Sequence, residues 1–146
     1  MKVIIERPGP GEEEELIVRC HKLDDKLMKL IASLNGESSQ VTGYFEDKIV
    51  KLQPEEIFYF ETVDSRVFAY TRDEVYEIHK KLYELEEKYG GTDFLRISKS
   101  VIVNLSKIAY VRPIFNGRFE AKLKNQETII ISRQYVMKMK EKLELG

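Results

Sequence analysis

The chain has 146 residues, which at roughly 150 residues per domain allows one compact unit, or one domain with a small appendage, and excludes a second large domain. With 42% hydrophobic and 34% charged residues it can bury a core and remain in solution, unlike a disordered or collagen-like chain. The net charge of −1 conceals an asymmetry about Gly90-Gly91: residues 1–91 carry 13 Lys+Arg against 20 Asp+Glu, and residues 92–146 carry 11 against 5. A positive last third can face a polyanion, while the acidic remainder limits indiscriminate binding. Apolar runs reach four residues at most, far short of the roughly 20 of a membrane span. Met1–Glu6 has no apolar h-region, and the single cysteine, Cys20, excludes an intrachain disulfide. The expectation is a cytoplasmic protein with no membrane insertion.

In chain order, Lys2–Glu6 reads as a short strand, Pro8-Gly9-Pro10-Gly11 as a turn, and Leu16–Cys20 as a second strand able to pair with the first. Leu23, Leu27, Leu30, Ile31 and Leu34 form one stripe of an amphipathic helix stopped by Asn35-Gly36. The polar stretch Gly36–Gln40 then divides a strand-strand-helix extension, residues 1–40, from a mainly β domain, residues 41–146.

Within that domain, Val41–Phe45 and Lys48–Leu52 flank Glu46-Asp47 as a hairpin. Ile57–Thr62 and Val67–Tyr70 are aromatic, β-branched strands joined by the polar turn Val63-Asp64-Ser65-Arg66. Thr71 and Glu74 match a capping box. Val75, Ile78, Leu82, Leu85 and Tyr89 then continue as a helical stripe of about five turns, with His79 beside it. Phe94–Ile97 is extended, Ser98-Lys99-Ser100 interrupts it, and Val101–Val103 resumes. Lys107–Arg112, Arg118–Lys124 and Thr128–Ile131 are three more strands. Asn116-Gly117 between the first two is the strongest hairpin signal in the chain. Ser132 is placed to cap a last helix, Arg133–Leu143, with Val136, Met139 and Leu143 on one face.

Catalytic and metal chemistry find little support. Two histidines and one cysteine cannot supply the roughly four Cys/His ligands of structural zinc. Cys20 and His21, adjacent on a strand, would point to opposite faces. Glu12–Glu15 lacks the alternate spacing of a calcium loop, and no glycine-rich phosphate loop is present. An enzyme is not expected, and neither is a cofactor or a metal.

The basic half does concentrate side chains suited to duplex DNA: Arg96, Ser98, Lys99, Ser100, Asn104, Arg112, Asn116, Arg118, Arg133 and Gln134. Lysine and serine suit phosphate oxygens, while Arg, Asn and Gln read base edges by bidentate hydrogen bonds. Each also has a structural reading. Asn104 suits a turn or a buried hydrogen bond, Ser132 a helix cap, and Arg112 and Arg118 either role. Arg133 at a helix start opposes the helix dipole and makes more sense beside a phosphate. The aromatics Phe94, Tyr110, Phe119 and Tyr135 mostly alternate as core residues, leaving Phe115 at a tip, which argues against a stacking platform for single strands.

Three motifs carry a family resemblance. Phe94–Ile108, with its Arg96, the triplet Ser98-Lys99-Ser100 and Val103-Asn104, resembles the signature of the LytTR family of bacterial DNA-binding domains. Ile131-Ser132-Arg133 resembles the family's Ser-Arg at its last helix, and the strand pair Ile57–Tyr70 with Glu61 and its polar loop is the third match. The resemblance covers about residues 41–146. It implies an elongated stack of antiparallel sheets with two flanking helices, α+β overall. It also implies loops that enter DNA grooves, and transcription regulation on direct repeats of double-stranded DNA, which is bent.

By position it implies contacts at Lys99, at Arg133 and at the loop Asp64-Ser65-Arg66. Ser98 departs from the family's usual histidine and is too short for more than a phosphate or water. About 40 residues precede the domain, too few for a phosphoreceiver, so the expectation is a regulator without one, its extension mediating a homodimer. The competing reading is a protein-protein interaction module, with an unknown protein partner and an incidental basic face.

Overall fold

The computed structural model describes residues 2–34 and 39–144. Helix α1 spans Asp25–Leu34, and the strands are β1 Val41–Phe45, β2 Lys48–Leu52, β3 Ile57–Val63, β4 Arg66–Thr71 and β5 Val75–Ile78. After α2, Leu82–Lys88, come β6 Phe94–Arg96, β7 Val101–Asn104, β8 Ile108–Pro113, β9 Phe119–Leu123 and β10 Thr128–Ile131, and α3, Val136–Lys142, ends the fold. All strand pairs are antiparallel. Seven strands form one sheet in the order β2-β1-β5-β4-β3-β7-β6, and three form a second in the order β10-β9-β8.

Strand β3 explains the layering. Its Ile57-Phe58-Tyr59-Phe60 run is buried throughout instead of alternating, because both faces of the strand are covered. On one face Phe60, Ile57, Val67, Ala69, Ile78 and Ile102 pack with Leu82, Leu85 and Tyr89 of the α2 region. There the rings of Phe60, Tyr89 and Phe94 meet with centroids 4.7–5.9 Å apart. On the other face Phe58, Tyr59, Ile97 and Val103 pack with Ala121, Leu123 and Ile131 of the second sheet and Met139 of α3. Burial pushes the Tyr59 and Tyr89 hydroxyls to higher pKa, and the carboxylate of Glu127 beside Tyr59 adds to it there. The mainly β, antiparallel architecture is thus as expected, with both flanking helices present.

Four elements differ from expectation. Lys2–Glu6 and Leu16–Cys20 are not strands: they make no ladder, and Val3, Ile4, Ile5, Leu16 and Ile17 are exposed. Two short runs without a third strand or a covering helix gain too little burial to hold a hairpin. The stretch 71–89 is not one helix. The Thr71 hydroxyl donates to the Glu74 carbonyl (2.8 Å) and accepts from the Glu74 amide (3.2 Å), closing a tight turn instead of capping. The β-branched Val75–Ile78 then pairs with β4 and β1, leaving His79 stacked on Tyr44 with ring centroids 3.8 Å apart. Helix α2 starts later, where the Glu84 carboxylate accepts from the Lys81 amide (2.9 Å).

The last helix opens with a 3-10 turn, Arg133–Tyr135. Ser132 sits at its N-cap without using its hydroxyl, the carbonyl accepting from Tyr135 N instead (2.9 Å). The helix stop at Asn35-Gly36 and most of the boundary at Gly36–Gln40 lie outside the described residues.

Helix α1 forms as expected, with Asp24 as its N-cap accepting from Leu27 N (2.8 Å). It is tied to the domain by Lys29, whose ammonium donates to the carbonyls of Glu87 (2.9 Å) and Lys88 (2.8 Å) at the C-terminal end of α2. Among the described residues no helix is long and apolar enough to cross a membrane.

Candidate nucleic-acid interface

The two segments that flank the 98–100 loop are fixed by ladder pairing, Phe94↔Asn104 through Arg96↔Ile102, and Ile97 N closes the loop on Val101 O (3.0 Å). Arg96 shapes what lies between. Its Nε donates to Ser98 O (2.7 Å), its Nη2 to Lys99 O, and its Nη1 pairs with Glu86 (3.3 Å), with the side chain only 18% exposed. Ser98 Oγ accepts from Ser100 N (3.2 Å). The loop is therefore stapled from beneath, and Lys99 stands exposed at its crest with no ion-pair partner among the described residues.

Three further segments meet this loop. Thr62 N donates to Ser100 O (2.8 Å), which brings the end of β3 and the following turn alongside. In that turn Asp64 (φ 50°) and Ser65 (φ 65°) both take the left-handed conformation that a two-residue hairpin turn requires, so Ser65 is an exposed tip. Ser132 N donates to Ile97 O (2.9 Å), which sets Arg133 and Gln134, both exposed, next to the loop.

The last segment is the connection 114–118, closed at its base by Ile114 N to Arg118 O (3.0 Å). Asn116 (φ 65°) and Gly117 (φ 71°) turn it. Gly117 lies so close to Arg133 that a Cβ there would come within 2.9 Å of Arg133 Cδ. Arg118 places its guanidinium 5.1 Å from the Phe115 ring centroid, with Nε buried and without a hydrogen-bond partner.

Ser65, Ser98, Lys99, Ser100, Asn116, Arg118, Arg133 and Gln134 thus converge on one end of the fold. Three other arginines singled out in the sequence are engaged by the protein's own groups. Arg96 is the staple. Arg66 is bound by Glu77 through two contacts of 2.6 and 3.1 Å, and Arg112 pairs with Glu120 across β8 and β9. Arg66 accordingly holds the Glu77 carboxyl below the ordinary glutamate range, through its hydrogen bonds first.

Asn104 does not join them. It lies at the far end of β7, 3% exposed, where Nδ2 donates to Ile57 O (2.9 Å) and Oδ1 accepts from Ser106 N (3.1 Å) and Ser106 Oγ (2.7 Å). It is a buried brace, the structural reading of its position. Among the described residues no three His, Cys, Asp or Glu side chains gather as they would around a metal ion.

The counter-ions Glu77, Glu86 and Glu120 and the packing of Gly117 on Arg133 were not anticipated. Of these only Glu120 left a signal, since Arg112 and Glu120 lie at equal distances either side of Asn116 and a hairpin centred there pairs them.

Comparison with known proteins places the fold and the family. The chain is 28% identical over 141 residues to the sensory transduction protein LytT of Enterococcus faecalis, and 30% identical over 144 residues to that of Bacillus anthracis. It covers 94% and 93% of itself in those alignments but spans only 58% of the length of either relative. An uncharacterised HTH-type transcriptional regulator of Staphylococcus aureus is 29% identical, with 91% of each chain covered. A solved LytTr DNA-binding domain from Bacillus cereus superposes with a TM-score of 0.69 at 22% identity, over 73% of this chain and 98% of that one, which establishes the fold. Residues 47–144 match the family described as the LytTr DNA-binding domain, and the chain belongs to that family.

Proposed function

We propose that this chain is a transcription regulator that binds specific double-stranded DNA sequences through the end of the fold built by the 64–65 turn, the 98–100 loop, the 114–118 connection and Arg133-Gln134. One observation carries the reading: the segments that bear Lys99 and Arg133, motifs about 30 residues apart in sequence, are tied together by the Ser132–Ile97 hydrogen bond, and neither cation has an ion-pair partner among the described residues. Unpaired cations on a stapled loop suit phosphate, and the neighbouring Asn116 and Gln134 supply amides for base edges. Arg96 and Asn104 act through position, holding the segments that carry the contacts. The site of action is the cytoplasm, and these 146 residues suffice for binding.

The test is binding to duplexes selected from a random pool, measured against salt. With about four to six phosphates neutralised, the log-log slope is roughly −4 to −5, and Lys99→Ala and Arg133→Ala each weaken binding by about 1–3 kcal/mol. A flat salt response defeats the reading.

The finer proposal is a homodimer on direct repeats, formed through residues 2–34. Its support is the apolar surface there: Val3, Ile4, Ile5, Leu16, Ile17, Leu23 and Met28 are each at least half exposed. Sedimentation of a monomer at tens of micromolar, with and without DNA, defeats that part alone.

A further inference from the structure

Phe115 is an aromatic residue the fold does not use. It belongs to neither core, its residue surface is 74% exposed, and its loop is rigid: closed at the base by Ile114 N to Arg118 O and turned by two left-handed residues. An exposed ring of this size is unfavourable in water unless something covers it. Its surroundings are cationic and polar. Arg118 lies over the ring, Arg133 packs against the adjacent Gly117, and Asn116 and Gln134 are exposed beside them. A protein partner docking by hydrophobic contact needs a contiguous apolar patch, whereas here one ring stands alone among guanidinium groups. That combination suits a duplex: phosphates for the cations, and a base step for an apolar wedge.

We propose that Phe115 is such a wedge. It presses into one base step of the bound duplex and kinks it, while Arg118, stacked on the ring, fixes its direction and offers its remaining donors to the flanking phosphate. The Arg118 Nε is buried without a hydrogen-bond partner, so the protein's own groups do not satisfy that donor. A single ring suffices because a wedge unstacks one step, whereas a single-strand platform needs several rings. The proposal rests on the duplex-binding reading above and adds a contact that none of the family motifs contains.

The experiment uses the full chain and a duplex of about 30 bp enriched by the wild-type protein from a randomised pool. That duplex is placed at permuted positions in a longer fragment for gel-mobility bend analysis, and 2-aminopurine is scanned along it to report unstacking. Wild type is expected to bend the fragment by roughly 20° or more and to raise 2-aminopurine fluorescence at one step. Phe115→Ala is expected to lose both signals and about tenfold in affinity with an unchanged thermal midpoint, and Phe115→Leu, still an apolar wedge, to keep most of the bend.

A wild-type complex that leaves the duplex straight overturns the wedge and spares the binding reading. The same holds if Phe115→Ala binds and bends like wild type, or loses affinity only together with its thermal transition. Failure of the wild type to enrich any duplex overturns the binding reading itself, before any variant is made.

Discussion

Arg96, at the end of β6, and Lys99, in the loop that follows, are three residues apart, yet the geometry gives them opposite roles, and the difference can be measured. Arg96→Ala removes two charge-assisted hydrogen bonds to the carbonyls of Ser98 and Lys99 and the ion pair with Glu86. The carbonyls lie near the surface and can turn to water, so the loss is well below the gross value of those bonds, about 2 kcal/mol. For a chain of this length each kcal/mol is worth about 2–4 °C, so the thermal midpoint falls by roughly 4–8 °C.

The larger effect is on binding. Freed from its staple, the 98–100 loop must be reordered on DNA at about 1 kcal/mol per residue, which lowers affinity by one to two orders of magnitude, or about 1.4–3 kcal/mol. The number of phosphates neutralised is unchanged, so the salt slope stays where it was. Arg96→Lys behaves like Arg96→Ala, because one ammonium on a flexible stem cannot hold two carbonyls and a carboxylate at once. Lys99→Ala does the reverse: the thermal midpoint holds and the slope shrinks by about one. The assay is fluorescence anisotropy across a salt series, paired with thermal melts. If Arg96→Ala instead shrinks the slope by one and leaves the melt untouched, Arg96 is a direct phosphate contact and the staple argument is wrong.

Further predictions follow from the same geometry. Asn104→Ala leaves the buried Ile57 carbonyl without its partner and removes the acceptor of the half-buried Ser106 amide, and costs about 2 kcal/mol in urea unfolding. Gly117→Ala places a side chain at φ 71° and pushes Arg133 aside; about 1 kcal/mol of stability and a measurable share of DNA affinity are lost together, whereas Asn116→Ala leaves Arg133 in place. Glu77 titrates below its ordinary value in the folded protein, so its pairing with Arg66 stabilises the fold above that value and the benefit disappears as pH falls through the lowered one. The difference in thermal midpoint between wild type and Glu77→Gln is therefore expected to be constant near neutrality and to close below about pH 4. A gap that widens on acidification contradicts the pairing.

What the sequence revealed and what it hid divides along the range of the interactions. The hairpins about Glu46-Asp47 and Asp64-Ser65 and the turn at Asn116-Gly117 were legible because each is a local contest between turn chemistry and strand propensity. So was the last helix, whose Val136, Met139 and Leu143 pack on the second core. The stretch from Thr71 to Tyr89 misled because Thr-x-x-Glu closes a turn as readily as it caps a helix, and the four residues Val75–Ile78 satisfy helical and strand spacing equally. Only the free edges of β4 and β1 decide between them, and those edges are set by distant residues. That same misreading concealed the Arg66–Glu77 pair, since Glu77 reaches Arg66 only from a strand. Arg96 lies against the 98–100 loop, but its role as a staple was not legible. The ion pair to α2 depends on how helix and sheet pack, which no local spacing encodes. The N-terminal runs failed for the converse reason: strand propensity was present, but the partner that would realise it was not.

These observations bear on how a β scaffold can read DNA without inserting a helix. The described helices are short and separated by strands, α2 from α3 by five of them, so no pair of them forms a helix-turn-helix. Loops are ordinarily a poor substitute, because ordering them on the ligand consumes binding free energy. Here that cost is met during folding. Left-handed residues tighten the 64–65 and 114–118 turns, Arg96 holds the carbonyls of the 98–100 loop, and Ser132 ties the last helix to Ile97. Each device uses a backbone group or a buried donor and leaves the outward side chains unengaged. The arginines singled out on strands, Arg66, Arg96 and Arg112, are paired with carboxylates, whereas Lys99 and Arg133, which lie on the stapled connections, have no ion-pair partner among the described residues. At this end of the fold the cations without an ion pair among the described residues thus lie on connections whose backbone is held by hydrogen bonds, the arrangement expected if specificity depends on presenting a few donors at set distances.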